Sequence, residues 1–532
     1  MKRRIKKFGP YILLGICFVI LLLLNVFFLN HWLDSDMAAE MIFSKQLAEG
    51  KHFFATPDWY YSTEFRFLYT HLIMGPLFLI MENWHTIRML TNIVFYVLLV
   101  ASYLYFMKPL RIQTRKVVLT AIILLLPFSE TLMLHMQMGN TYMSHVIIMF
   151  LFFGMYLRLT RENDLKKGRK YRIFILYMIL AVICGLSGVR YLMALQCPLF
   201  LTAVYYVLKS DVLQNFRKKS TLGNFILLTG SNTAWYLYYS IIGVFGSLIG
   251  YGINVLFVSR RYSFQTYEVT NFIEINNGVL LERIQDAIGS VLLLFGYIPE
   301  KGVLSLRGII TIIAFVLIAA VIYCTVKVYK KAEGNRFFVA LFFIITFLLN
   351  SFMLIFTTSN LVPRYYITVM VFMLPVFAIY FEEERIAFDK WVVGLLLGIC
   401  LFTGTSKLAI SLIISDKNAD KYQVAHFLEE EGYLFGYATY WNGNIITELT
   451  NGSVEVANVV EPANLTYFKW SSPKKYYEEE YYEGEVFLLL TIEEATDFAM
   501  AQTLQNGQKM YEDENYIVFV YESVNELKGY AQ

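Results

Sequence analysis

Long apolar runs recur along almost the whole of this chain, each close to the roughly 20 residues that an α-helix needs to cross a bilayer. A lipid interior offers backbone groups no water, so a chain of this pattern crosses it as helices that satisfy their own hydrogen bonds. Hydrophobic residues make up 57% of the 532 and charged residues only 16%, well below the roughly 25% charge of soluble domains. The pattern therefore predicts a polytopic α-helical membrane protein. About eleven segments qualify as spans, near 9–30, 85–107, 117–134, 141–159, 173–189, 191–208, 233–257, 306–327, 337–357, 365–381 and 391–414.

Basic clusters mark alternate loops as cytoplasmic: Lys2 to Arg4 with Lys6 and Lys7, then Lys108 to Lys116, Arg161 to Lys170, Arg217 to Lys219, and Lys327 to Arg336. The loop Glu382 to Lys390 carries both signs and does not vote. This topology needs the short run Phe67 to Met81, which contains His71, Gly75 and Pro76, to be an interfacial or re-entrant helix rather than a span. Six glycines between 220 and 258 hint at a tilt, a break or an extra partial span there. The N-terminal run has the basic start of a signal peptide but no small-residue cleavage site before Asn30, which reads as a retained anchor.

A net charge of +3 with basic residues confined to short loops argues against nucleic-acid binding. All five cysteines lie within apolar runs, so none is placed to staple an external domain. These features suit a bacterial plasma membrane. Eleven spans put the N-terminus in the cytoplasm and the C-terminus outside. The expected organisation is a membrane module over residues 1–414, with a first outer loop at 31–84, and an extracytoplasmic α/β domain over 415–532. Within that domain Ala419 to Glu431 and Glu493 to Leu504 read as helices, and Ser453 to Val460, Glu485 to Thr491 and Tyr516 to Tyr521 as strands. Ser471 to Gly484 reads as a surface loop. No internal repeat is visible, which weighs against inverted-repeat transporters.

Charged groups concentrate on the predicted outer face. Asp34-Ser35-Asp36 follows the first run directly; Glu40, Asp58, Tyr61 and Glu64 come later in the same loop; Glu130, His135, Arg190, Arg260, Arg261 and Arg364 come from other loops. Moving a group from a lipid phosphate to a hydroxyl needs a base for the incoming hydroxyl and positive charge on the departing phosphate. Asp36 fits the first role, and Arg190, Arg364 or Arg260 the second, in bidentate fashion. Plainer readings stand beside these: a hydrated acidic loop, arginines that anchor at the interface or meet anionic headgroups, and a snorkelling Lys407 in the last span. His71 and His135 with Asp34 or Asp36 leave a divalent metal ion open, though no tight ligand spacing marks one. The abundant aromatics, Trp59-Tyr60-Tyr61 among them, read first as an interfacial belt.

With Asp34-Ser35-Asp36-Met37-Ala38-Ala39-Glu40 after the first span, a first outer loop ending near Arg88, and Tyr437-Ala438-Thr439-Tyr440-Trp441 in the external domain, the chain resembles the GT-C superfamily of glycosyltransferases. Within it, the resemblance is particularly to protein O-mannosyltransferases and the bacterial aminoarabinose transferases that modify lipid A. The resemblance implies inverting transfer on the outer face from a polyprenyl-phosphate or diphosphate sugar to a protein, lipid or glycan acceptor. It puts the catalytic carboxylate on Asp36 or Asp34; the Asp-Glu form usual there reads Asp36-Met37 here. Glu130, His135, Asp58 and Tyr61 join the arginines as expected substrate contacts. The wager is that the aspartates and arginines line one cavity. Two rivals use similar residues: a transporter or flippase of lipid-linked sugars, which makes no bond, and a polysaccharide polymerase or ligase.

Overall fold

Each of the eleven apolar runs forms helix in the computed structural model, which describes residues 2–161, 166–209, 233–265, 270–383, 386–413, 416–478 and 481–531. The basic cluster Arg217 to Lys219 and the glycines Gly223 and Gly230 lie outside the described residues. Among those described, eight helices are long and apolar enough to cross a membrane, and a bent pair raises this to nine. The protein is a multi-pass membrane protein with fewer clear spans than the eleven expected. Three physical causes account for the difference. The run at 117–134 breaks into Thr114–Leu125 and Glu130–Met138, bent by 96°, at Pro127, whose ring denies helical geometry to the residue before it. Met143–Leu159 has 17 residues, and Lys167–Leu186 opens on Lys167, Arg169, Lys170 and Arg172.

Two compact units partition the chain. One comprises Met1–Leu21, Phe95–Leu256 and Glu268–Ile413; the other comprises Leu22–Val94, Phe257–Tyr267 and Ile414–Gln532. The change of composition near 414 coincides with one unit boundary, and the second unit also takes in the loop at 31–84 and the start of the helix after it.

In the first unit Gly243, Gly246 and Gly250 serve packing, not a break. The helix Ala234–Ile253 runs against Lys167–Leu186 at backbone contact distance, the arrangement that small residues permit between membrane helices. A Cβ on Gly250 would stand 2.0 Å from the Val182 carbonyl oxygen, and one on Gly185 1.9 Å from that of Ser247. Gly252, two residues on, has nothing within 4 Å of its would-be Cβ. We expect Gly250→Ala to cost about 3 kcal/mol or more by overpacking, and Gly252→Ala to be neutral or slightly stabilising through helix propensity. Thermal unfolding of the two purified variants checks this; equal midpoints would refute the close-packing role.

The large loop at 258–305 holds a helix that composition did not announce, Asn277–Leu294. The short run at 67–81 forms only His71–Phe78, eight residues packed on Ser35–Glu49.

The second unit is built on a six-stranded sheet in the order Thr466–Tyr467, Glu455–Glu461, Phe435–Thr439, Val486–Thr491, Tyr516–Tyr521, Gln508–Glu512. Phe435–Thr439 is parallel to both neighbours and reads as a buried run rather than an alternating one, as a central parallel strand should. Its Phe435 and Tyr437 join one apolar core with Leu488 and Leu490; Ala438 joins the opposite core with Phe487, Leu489 and Val518. The helix Ala419–Glu431 and the strand Tyr516–Tyr521 form where the sequence pattern places them. The expected helix at 493–504 is split into Ile492–Asp497 and Gln502–Asn506. A second, three-stranded sheet sets Trp59–Tyr61 between Ser263–Phe264 and Ser472–Pro473, so the expected surface loop at 471–484 begins as a strand.

Candidate active site

Asp34-Ser35-Asp36 starts a helix. Asp34 is the N-cap of Ser35–Glu49, its Oδ1 accepting the Met37 N–H at 2.8 Å, and Asp36 sits in the first turn, where negative charge complements the helix dipole. The two carboxylates are consequently not equivalent. Burial, and then the Asp36 charge, push the Asp34 pKa up to about 7, against the Met37 hydrogen bond and the Arg88 charge.

The helix Tyr440–Leu449 holds this turn. The Ser35 hydroxyl donates to the Tyr440 carbonyl at 2.5 Å, and the Tyr440 hydroxyl donates to Asp36 Oδ1 at 2.8 Å. Burial and the neighbouring Asp36 charge raise the Tyr440 pKa well above that of an ordinary phenol, so at neutral pH this group remains a donor and orients the carboxylate. At the other end of the same helix Glu448 grips Arg88, with Nε to Oε1 and Nη2 to Oε2 both at 2.6 Å, while Nη2 also donates to the Met37 carbonyl at 2.8 Å. Both side chains are buried. Beneath the acidic turn, buried Glu40 pairs with Arg66 and accepts from the Thr70 hydroxyl at 2.9 Å. The Arg66 guanidinium stacks 4.7 Å from the Tyr69 ring, and its charge also acts on Asp36. Burial, then Arg66, lowers the His71 pKa to about 3, so that imidazole is neutral.

Asp58 and Tyr61 serve local structure. The Thr56 hydroxyl donates to Asp58 Oδ2 at 3.0 Å; the Tyr61 hydroxyl accepts from the Thr56 N–H and donates to the Thr56 carbonyl, both at 2.9 Å. The Tyr61 ring packs among Phe43, Phe65, Tyr262 and Phe264. Arg260 is exposed at the end of Val258's following turn, Ser259–Arg261.

Glu130, His135, Arg190 and Arg364 belong to the other unit. There Arg190 lies 5.4 Å from the Tyr142 ring, Arg364 lies 5.8 Å from Tyr365, and both guanidinium charges act on the buried Tyr142 hydroxyl. The charges of both arginines thus act on one tyrosine. His135 is buried, its Nδ1 2.7 Å from the Thr141 hydroxyl, and its ring stands edge-on to Tyr142; Tyr142 in turn meets His145, which bonds Tyr191 through Nδ1 at 2.7 Å. Glu130 is exposed in the first turn after the N-cap Ser129. Both Met133–Met138 and Leu192–Gln196, which flank this cluster in sequence, are wound as π-helix, a feature often found at functional sites. Lys407 lies within Ala387–Ile413.

Sequence reasoning assigned no role to Tyr440, Glu448, Arg66, Arg88 or Tyr142. The residues paired here stand up to 405 positions apart, and no local spacing encodes that. Among the described residues, no group of three or more His, Cys, Asp or Glu is placed to hold a metal ion.

The Asp34 shift has a testable sign. A carboxyl whose pKa is higher in the folded state than in the unfolded one stabilises the fold fully below the unfolded value, near 3.8, and this contribution is lost as pH rises through about 7. Asp34→Asn should therefore gain stability relative to the parent as pH rises from 4 to 7. Thermal midpoints of both proteins across that range measure it, and parallel curves would refute the shift.

Solved structures of known proteins share this fold. The structure aligns with ArnT from Cupriavidus metallidurans, solved bound to undecaprenyl phosphate, at a TM-score of 0.55 and 11% identity over 96% of this chain and 98% of that one. It aligns with the oligosaccharyltransferase of Archaeoglobus fulgidus in its apo form at 0.51 and 14% identity, over 93% of this chain and 71% of that one. No protein-family model matches the sequence, and the sequence of no curated protein does.

Proposed function

We propose that this protein is an integral membrane glycosyltransferase that moves a sugar from a polyprenyl-phosphate donor to a hydroxyl acceptor on the outer face of a bacterial plasma membrane. The carrying observation is the acidic turn: a carboxylate at a helix start, oriented by a buried phenol, in a chain with the GT-C fold. Asp36 acts as general base. It takes the proton of the acceptor hydroxyl as that oxygen attacks the anomeric carbon, and the bond from that carbon to the lipid phosphate oxygen breaks with inversion. Its electron pair leaves on the phosphate, whose charge a cation offsets; Arg190 and Arg364 are the residues expected in that role. The undecaprenyl phosphate of the ArnT structure supports a polyprenyl carrier.

Asp34 is the second carboxylate, and its raised pKa keeps it partly protonated near neutrality. A divalent ion would draw on Asp34 and Asp36; with no third protein ligand grouped beside them among the described residues, no step is routed through one. The C-terminal domain, residues 415–532, faces the acceptor, whether protein, lipid or glycan. Proteoliposomes supplied with a radiolabelled polyprenyl-phosphate sugar test the reading: label should pass from lipid to a water-soluble or envelope acceptor. Lipid translocation without bond cleavage would assign the protein to the flippases instead.

A further inference from the structure

The helix Asn277–Leu294 wears its apolar residues on the wrong side for a loop in water. Its inward face is Arg283, Ala287, Ser290 and Leu294, spaced i, i+4, i+7 and i+11. These pack towards Gly334–Phe356 and Pro363–Tyr366. Arg283 is part-buried there and donates through Nη2 to the Leu354, Thr357 and Ser359 carbonyls at 2.5 to 2.6 Å, where a cation complements a helix C-terminus. Leu281, Ile284 and Ile288, at i, i+3 and i+7, form a second face that is exposed. Glu282, Gln285 and Asp286 occupy a third sector, also exposed and polar. One inward face, one bare apolar face and one polar face are what a helix needs to lie at a water–lipid boundary beside a membrane protein.

The flanks continue the apolar face. Phe272 is 73% exposed, Ile275 72%, Val303 67% and Leu304 95%. Two residues after Leu304 the spanning helix Leu306–Lys331 begins, and its Ile309, Ile312 and Phe315 are likewise bare, as lipid-facing residues of a span are. The exposed surface is thus continuous with one that a bilayer must cover. We infer that residues 272–304 form a membrane-interface element, with Leu281, Ile284, Ile288 and Leu304 inserted among lipid acyl chains and Glu282 and Asp286 left in water. Its occupant is the lipid surface itself. Such a helix holds its apolar side about 5–10 Å into the boundary of headgroups and acyl chains.

The test uses the full chain in liposomes of phosphatidylethanolamine and phosphatidylglycerol. Leu281→Cys, Ile288→Cys, Leu304→Cys and Asp286→Cys, all at exposed positions that should fold, are labelled with an NBD fluorophore, and the labelled parent supplies the background from native cysteines. Positions 281, 288 and 304 should be quenched by nitroxide-bearing lipid, and should be at least about fivefold less accessible to aqueous iodide than position 286. Iodide access at 281 and 288 equal to that at 286 would overturn the inference. So would shielding without lipid-borne quenching that grows with protein concentration, since that assigns the face to a second copy of the chain.

Discussion

Asp36→Asn should abolish sugar transfer while leaving the protein folded. A positioned general base contributes typically about 10²- to 10⁴-fold, and the amide cannot take the acceptor proton. The substitution is close to isosteric: the Tyr440 hydroxyl still finds an amide oxygen to donate to, and the N-cap made by Asp34 is untouched. Loss of turnover should therefore appear in kcat with little change in thermal midpoint. Asp34→Asn is the informative companion, because its carboxyl is already partly protonated near pH 7 and its loss should cost less. Full transfer by well-folded Asp36→Asn would remove Asp36 from the chemistry; a larger loss at Asp34 would exchange the two roles.

Glu448→Ala is expected to be the most destabilising single change in the second unit. Arg88 is only 1% exposed and Glu448 6%. Removing the carboxylate strands a buried guanidinium, which costs about 3–5 kcal/mol, whereas replacing both partners with apolar residues is often neutral. The damage should reach the chemistry as well, since Arg88 also holds the Met37 carbonyl one residue after Asp36. Arg88→Met with Glu448→Leu should recover most of the thermal midpoint without recovering the anchor on Met37. If Glu448→Ala unfolds at the parental temperature, the pair is not what secures the acidic turn.

Much of the architecture was readable because its causes are local. A run of apolar residues near bilayer length must be helical in lipid, and every expected run is helix. An aspartate that follows an apolar run and precedes Met37-Ala38-Ala39-Glu40 is a competent N-cap. Other elements were hidden by competing local signals. Phe435–Thr439 is absent from the expected strands and carries a glycine at its second position, yet at Gly436 a Cβ would stand 2.4 Å from the Phe487 ring, so the glycine is there for strand packing. Asn277–Leu294 lacked an inward apolar stripe because its apolar residues face away from the protein. The glycines at 243, 246 and 250 suggested a break and instead serve a helix–helix contact.

The sequence alone determined the membrane class, the helical segments and the position of the acidic turn at the mouth of the first span, since each depends on residues within a few turns of one another. Tertiary structure alone decided which aspartate caps the helix and which is oriented by a phenol, that Tyr440 and Glu448 serve the turn, and that Asp58 and Tyr61 bond to Thr56. Those outcomes depend on desolvation and on partners 360 to 405 residues away, and a group's charge and direction follow from what folding places against it.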